Sequence, residues 1–256
     1  MKTVVSLFLL LSLALPSLAQ ETAVIGGHLN RPPLDWQVGD TSLTGAAIEL
    51  ITQVLNDLGV PLETQVAPWA RMLHQLQTGD IDLAVGVYKN EDRQVFASFT
   101  ESFFLDRVSV FVWQDRSFPF NSMDDLEGKR FGEILGATRG KEFDQWLMAN
   151  ATVQYVSDHQ STFRMLEANR IDCFVFSHLP GLIRIKQAGL EGRIVPLEQA
   201  ISEKPLYFAI SKQSPLKDRL PEINTLLRKR LAQGEWETLV AKHTAAYIDT
   251  HPSPQQ

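Results

Sequence analysis

The sequence predicts an α/β protein of two similar lobes, each a mainly parallel sheet flanked by helices. Three observations predict it. Strand and helix patterns alternate as βαβαβ from Ala23 to Val87, an order that builds a parallel sheet with helices on both faces. A second alternating series begins at Arg130. Finally, the segment from Leu76 to Tyr88 lines up without gaps on that from Leu166 to His178. Each is a helix end, a Gly or Asn stop, an Ile-Asp pair and a buried strand.

Ala23 to Gly27 reads as the first strand, followed by the loop Asn30-Arg31-Pro32-Pro33 and a turn around Gly39-Asp40. Thr44 is placed to cap a helix with the apolar face Ile48, Ile51, Val54, Leu55 and Leu58, stopped by Gly59-Val60-Pro61. Leu62 to Val66 is a second strand. Met72, Leu73 and Leu76 sit at helical spacing before the stop at Gly79, and Ile81 to Val87 is a short, mostly apolar run suited to a buried parallel strand. Phe103 to Trp113 is a longer run. Phe118-Pro119-Phe120 and Asp124-Asp125 then mark a change of neighbourhood. The second series has strands at Phe131 to Leu135, Val153 to Val156, Ile171 to Phe176 and Leu206 to Ile210, with helices at Lys141 to Met148 and Thr162 to Ala168. A helical region interrupted at Pro221 runs through Ile223, Leu227 and Leu231 to Val240, and the tail from Asp249 reads as disordered.

The first segment lies outside this pattern. Lys2, the apolar run Val4 to Leu15 and Ser17-Leu18-Ala19 read as a secretory signal peptide cleaved after Ala19. Its apolar run is too short to span a bilayer comfortably, which points to an exported, periplasmic protein. Removing residues 1–19 takes away Lys2 and no acid, moving the formal charge from −6 to −7. No dense basic block speaks for nucleic acid. A single cysteine, Cys173, excludes an intrachain disulfide and a cysteine metal cluster. None of the 6 histidines pairs at the i, i+4 spacing of a helical metal site. No cofactor and no metal are expected.

In an open α/β sheet, ligands bind beyond the carboxyl ends of the strands. At the end of the strand Ile81 to Val87 that place holds Gly86, Tyr88 and, a few residues on, Arg93. In the second series the corresponding end holds Phe176, Ser177 and His178. A cleft between two such lobes is a preferred place for a small-molecule site.

These residues resemble the family 3 periplasmic solute-binding proteins, the amino-acid-type receptors of ABC importers. The resemblance spans nearly the whole mature chain. It is carried by Pro32-Pro33 before Gly45, Pro68-Trp69-Ala70-Arg71, Gly79-Asp80-Ile81-Asp82, Asn90-Glu91-Asp92-Arg93 before Phe96, Leu126-Glu-Gly-Lys-Arg130, and Gly234-Glu235-Trp236. It implies a type II periplasmic-binding-protein fold. Lobe 1 would comprise residues 20–110 and 209–248, lobe 2 residues 111–208, and 249–256 the tail. Two hinge strands would cross near Ser109–Val112 and Leu206–Ile210, and the lobes would close on the ligand. The protein would be a monomer with an ABC permease of the inner membrane as its partner.

The resemblance also assigns roles. Arg93 would clamp the ligand carboxylate, a task suited to the planar guanidinium fork. Tyr88 and Gly86 match ligand-contacting strand-end positions, and Trp69 an apolar wall. Ala137 and Thr138 lie in a loop before a helix, where backbone amides and a hydroxyl receive an anion. Trp36 is expected to pack on the surface rather than to stack on a ligand. Two departures stand out. The aspartate that usually holds the ligand ammonium is replaced by Ser177, and the usual stacking aromatic of the first loop by Arg31. Glu133 is a candidate substitute acid. Arg31 and Arg93 together would suit a more acidic or less cationic small carboxylate-bearing solute.

Two other function classes compete. Relatives on this fold include cyclohexadienyl dehydratases, for which Glu133 and His178 are the cleft candidates here, but no catalytic residue is expected. A solute sensor acting through a separate signalling partner would look the same in sequence.

Overall fold

The computed structural model describes residues 22–134, 141–156 and 158–251, and its centre is one nine-stranded mixed sheet. The chain opens with β1 (Ala23–Gly26), a small antiparallel sheet of β2 (Asn30–Arg31), β3 (Asp35–Val38) and β4 (Ser42–Thr44), then α1 (Ala46–Asp57) and β5 (Leu62–Gln65). Next come α2 (Trp69–Thr78), β6 (Leu83–Tyr88), α3 (Glu91–Phe96), β7 (Ala97–Phe99) and β8 (Phe104–Trp113). The second lobe adds β9 (Arg130–Ile134), α4 (Lys141–Asn150), β10 (Thr152–Val156), α5 (His159–Glu167), β11 (Cys173–Ser177) and α6 (His178–Gln187). β12 (Ile194–Ser211) leads back to α7 (Leu220–Ala232) and α8 (Glu235–Thr250). Across the sheet the order is β10-β9-β11-β8-β12-β6-β1-β5, with β7 also on β12.

Within each lobe the strands run parallel: β1 with β5 and β6, and β9 with β10 and β11. The antiparallel pairs are made by β8 and β12. Ser109–Val112 of β8 already pairs with β11, and Leu206–Ile210 of β12 with β6. β8 and β12 also pair with each other along their length, with Leu105–Arg107 facing Glu203–Pro205 before those stretches.

Helices cover both faces of the lobe 1 sheet. Leu83 and Val85 of β6 pack with α1, α7 and α8 through Leu50, Ile51, Leu55, Ile223, Leu227 and Trp236. Ala84 and Val87 face Met72 and Leu76 of α2. Strict alternation would put Val87 with Leu83 and Val85. Gly86, at φ +67, breaks the phase opposite a register irregularity in β12, and such bulges commonly re-aim a side chain at a site. In lobe 2, Val110, Phe131, Cys173 and Val175 pack against Phe143 and Leu147 of α4, while Phe111, Phe174, Phe163 and Ile185 fill the opposite face. Burial pushes the Cys173 thiol up, so it stays a protonated packing group.

The internal correspondence is structural as well. Gly79 and Asn169, which end the equivalent helices, both take positive φ (87° and 54°). Asp82 and Asp172 occupy equivalent places, each accepting from the backbone N–H of the neighbouring strand, Val24 and Arg130, at 2.8 Å.

Two expectations are corrected, and one helix is added that the sequence did not announce. Thr44 is the last residue of β4 and does not cap α1; Gly45 does, because the chain passes so close to Leu34 that a Cβ would lie 2.2 Å from its carbonyl oxygen. Helix α6 begins directly at His178, where the sequence, with Pro180 in the first turn, gave no helical signal. Asp249 and Thr250 belong to α8 rather than to a tail, and the Thr250 hydroxyl bonds back to Ala246. The signal segment, the strand end at Leu135 and residues 252–256 lie outside the described residues.

α8 is tied to α1 by Glu49, which accepts from Lys242 Nζ and His243 Nε2, each at 2.7 Å. Burial pushes the Glu49 carboxyl up, but the Lys242 and His243 hydrogen bonds outweigh it and hold the group below the ordinary glutamate range. A depressed folded-state pKa contributes stability that is present above the unfolded value and lost as pH falls through the folded one. Glu49→Gln should therefore lower the melting temperature near neutrality, and the difference from wild type should close in a melting series taken from about pH 7 to about pH 3. A difference that stays constant would break the linkage.

Candidate functional site

The carboxyl ends of β1 and β6, the start of α2, and strand β8 converge on one polar cluster. Its anchor is Asp35, fully buried on β3. Oδ1 accepts from Arg31 Nε at 2.9 Å and Nη2 at 2.8 Å. Oδ2 accepts from the His28 backbone N–H and from His28 Nδ1, the latter at 3.0 Å. Burial pushes the Asp35 carboxyl up, but the Arg31 guanidinium, helped by His28, outweighs it and holds the group ionised.

Arg31 reaches across to β6, where Nη1 donates to the Gly86 carbonyl at 3.1 Å. A Cβ at position 86 would fall 1.6 Å from Arg31 Nη2, so this glycine serves close approach as well as its positive φ. Arg31 and Gly86 thus form one unit. The charge expected to be open to a ligand is matched by Asp35, because a buried carboxylate beside it needs a counter-charge.

His28 stacks on Trp69, ring centroids 3.9 Å apart and 17° from parallel. Burial and then the Arg31 charge lower its pKa, with Asp35 and Asp106 opposing. Since the Asp35 carboxylate only accepts, the proton of the neutral ring belongs on Nδ1 and Nε2 is left as an acceptor. The Arg93 guanidinium lies 5.9 Å from the Trp69 ring centroid. Asn90 caps α3 by accepting from the Arg93 backbone N–H at 2.9 Å, and Arg93 Nη1 donates to the Tyr88 carbonyl at 2.8 Å. Among the described residues, no carboxylate comes within ion-pair distance of Arg93.

Tyr88 donates its hydroxyl to Asp106 Oδ2 at 2.6 Å. Burial, reinforced by the Asp106 charge, pushes the phenol up, so it remains a donor. Its equivalent in the second lobe, His178, also reaches β8: Nδ1 lies 3.0 Å from the hydroxyl of fully buried Ser109. Burial and then Arg107 lower the His178 pKa. Ser177 is half-buried at the start of α6, makes no capping bond there, and lies opposite Val108 of β8. Glu133 is 6% exposed and accepts from the Ile134 N–H at 3.1 Å, so it does not face solvent.

Of the residues the sequence singled out, Arg31, Gly86, Tyr88, Trp69 and Arg93 come together at the lobe 1 strand ends. Ser177 stands across β8 from them. Ala137 and Thr138 lie outside the described residues. Trp36 is 4% exposed and packs edge-on to Tyr247 at 5.3 Å, with Ile183 of α6 in the same cluster. It is core, not surface. Sequence reasoning missed His28, Asp35 and Asp106. For Asp106 a signal was present, as the only acid in the run from Phe103 to Trp113. No group of three or more His, Cys, Asp or Glu among the described residues could hold a metal ion.

Comparisons with known proteins agree with this architecture. The sequence profile of the bacterial extracellular solute-binding proteins, family 3, matches residues 23–246. The L-cystine-binding protein TcyJ of Escherichia coli (strain K12) is 24% identical over 231 residues, covering 89% of this chain and 84% of the relative. Among solved structures, the open conformation of substrate-binding domain 2 of Lactococcus lactis GlnP superposes with a TM-score of 0.68 at 19% identity, covering 88% of this chain and 96% of that one. A histidine kinase sensor domain similar to periplasmic binding proteins gives 0.63 at 21% identity, covering 87% and 96%.

Proposed function

Because the chain belongs to the bacterial extracellular solute-binding proteins, family 3, we propose that it binds a small carboxylate-bearing solute, an amino acid or related acid, between its two lobes. It works in the periplasm as a monomer and hands the solute to an ABC importer. It carries out no chemistry on it. The observation that carries this reading is Arg93. It is a half-buried guanidinium beyond the end of β6, held by Asn90 and the Tyr88 carbonyl, with no carboxylate partner among the described residues. Most of its fork is open to an incoming carboxylate. Trp69, with His28 stacked on it, supplies the apolar wall beside it. Closing the lobes about the β8–β12 crossing would then remove water from the pair and strengthen it. The relatives of known ligand fit this class, cystine being one such solute.

A thermal-shift panel on residues 20–256 tests the reading, using L-amino acids including L-cystine, dicarboxylates and simple monocarboxylic acids. A ligand that binds only the folded state stabilises it by about 2.7 kcal/mol at 100 times its Kd. At least one carboxylate should raise the melting temperature, and amines or neutral sugars should not. Silence from every carboxylate would overturn the proposal.

A further inference from the structure

We infer that Asp106, on crossing strand β8, supplies the carboxylate for the ligand's ammonium that position 177 lacks, making the site one for a zwitterion rather than for a plain acid. This rests on the carboxylate-solute reading above and refines it.

The placement follows from register. Ser177 of β11 faces Val108 of β8, directly opposed residues of paired strands share a face of the sheet, and Asp106, two residues along β8, returns to that face. An acid at 106 therefore stands one step from the spot an acid at 177 would occupy. From the other lobe, Tyr88 fixes Asp106 by its hydroxyl at 2.6 Å. Asp106 is 7% exposed. Its second oxygen, Oδ1, has no hydrogen-bond partner among the described residues. Lys204, opposite it in the β12 register, is exposed and makes no ion pair with it.

Charge accounting singles Asp106 out. Arg31 is matched by Asp35 at 2.8 Å, and Tyr88 offers a neutral hydroxyl. What remains is one carboxylate, nine-tenths buried and without a cation in ion-pair distance among the described residues. Its Oδ1 is not among the sealed-off atoms, so a ligand can reach it, and a cationic ligand group would complete the pair. Tyr88 also sets the spacing, since its carbonyl accepts from Arg93 while its hydroxyl donates to Asp106. A free cation and a free anion thus stand at the two ends of one tyrosine, a pattern matching a molecule with a carboxylate at one end and an ammonium beside it.

The test is calorimetric titration of wild type and Asp106→Asn with pairs that differ only in the amine. Three pairs serve: L-cystine and 3,3′-dithiodipropionic acid, L-glutamine and glutaramic acid, and L-arginine and 5-guanidinopentanoic acid. Wild type should prefer the amine-bearing member of its best pair by at least about tenfold, the scale set when one buried hydrogen-bonding partner is left unsatisfied. Asp106→Asn should lose that preference while holding the des-amino acid as before. The double variant Tyr88→Phe/Asp106→Leu removes both hydrogen-bonding partners and so orphans neither; it should lose the preference too, which separates the effect from misfolding. A preference that survives in either folded variant overturns the inference. Wild type that binds the des-amino acids as tightly as the amino acids overturns it while leaving the carboxylate reading intact. Wild type that binds no member of any pair, and no acid of the wider panel, overturns both.

Discussion

Arg93→Ala should weaken solute binding by roughly 2–5 kcal/mol, about thirtyfold to several thousandfold, because it removes one partner of a charge pair that lobe closure desolvates. The ligand-free protein should melt almost as wild type does. In that state the Arg93 side chain makes one hydrogen bond among the described residues, to the Tyr88 carbonyl, and lies near the Trp69 ring. The split matters. A residue that only packs would lose stability and affinity together, whereas an anchor loses affinity alone. Arg93→Lys should recover the charge but not the planar fork, and so only part of the affinity. Titrating the tightest solute of the panel into all three proteins, with a melting curve for each, decides it. An affinity unchanged in Arg93→Ala would remove the anchor, and with it the observation on which the carboxylate reading rests.

Local signals carried much of the fold. Helix stops at Gly79 and Asn169, each followed by Ile-Asp and an apolar run, announce two αβ units of the same design. The structure gives both stops positive φ and both aspartates an equivalent backbone partner on the neighbouring strand. The small sheet β2-β3-β4 and helix α6 were not legible. Their strands are two to four residues long and their helix has a proline in its first turn, so tertiary contacts rather than local pattern decide them. Strand β12 reads as a strand only over its apolar last third. Polar residues and two prolines, Pro196 and Pro205, interrupt the rest, with register irregularities near Ala200.

At the site, the groups with an obvious chemical handle, Arg93, Tyr88 and Trp69, could be named from sequence. The groups that set its electrostatics could not. Asp35 and His28 look like ordinary loop residues until the fold buries one and stacks the other. Arg31 looks like a free charge until Asp35 is seen beneath it. Pairing is a property of three-dimensional neighbours, so sequence can count charges without telling which cancel.

That cancellation leads to the second large effect. Arg31→Ala should destabilise the protein by ~3–5 kcal/mol, the usual cost of stranding a buried charge, and lower the melting temperature by on the order of 10 °C. Asp35 is fully buried, and Arg31 is the strongest influence holding its carboxyl ionised against burial. With the guanidinium gone, His28 alone opposes burial, and the Asp35 pKa should rise above its unfolded value. The sign of the linkage then reverses. In wild type the depressed carboxyl contributes stability that fades as pH falls; in the variant, protonating Asp35 relieves the stranded charge, so acidification helps. The gap between the two proteins should therefore narrow as pH is lowered from about 7 to about 4. Adding Asp35→Asn to Arg31→Ala should recover part of the loss at neutral pH, because Asn keeps an oxygen for the His28 N–H while removing the charge. A gap independent of pH, with no rescue by Asp35→Asn, would mean that Arg31 acts through packing and its bond to Gly86 alone. In that case Arg31 would not count as neutralised by Asp35, and Asp106 would no longer be the sole uncompensated carboxylate of the cluster among the described residues.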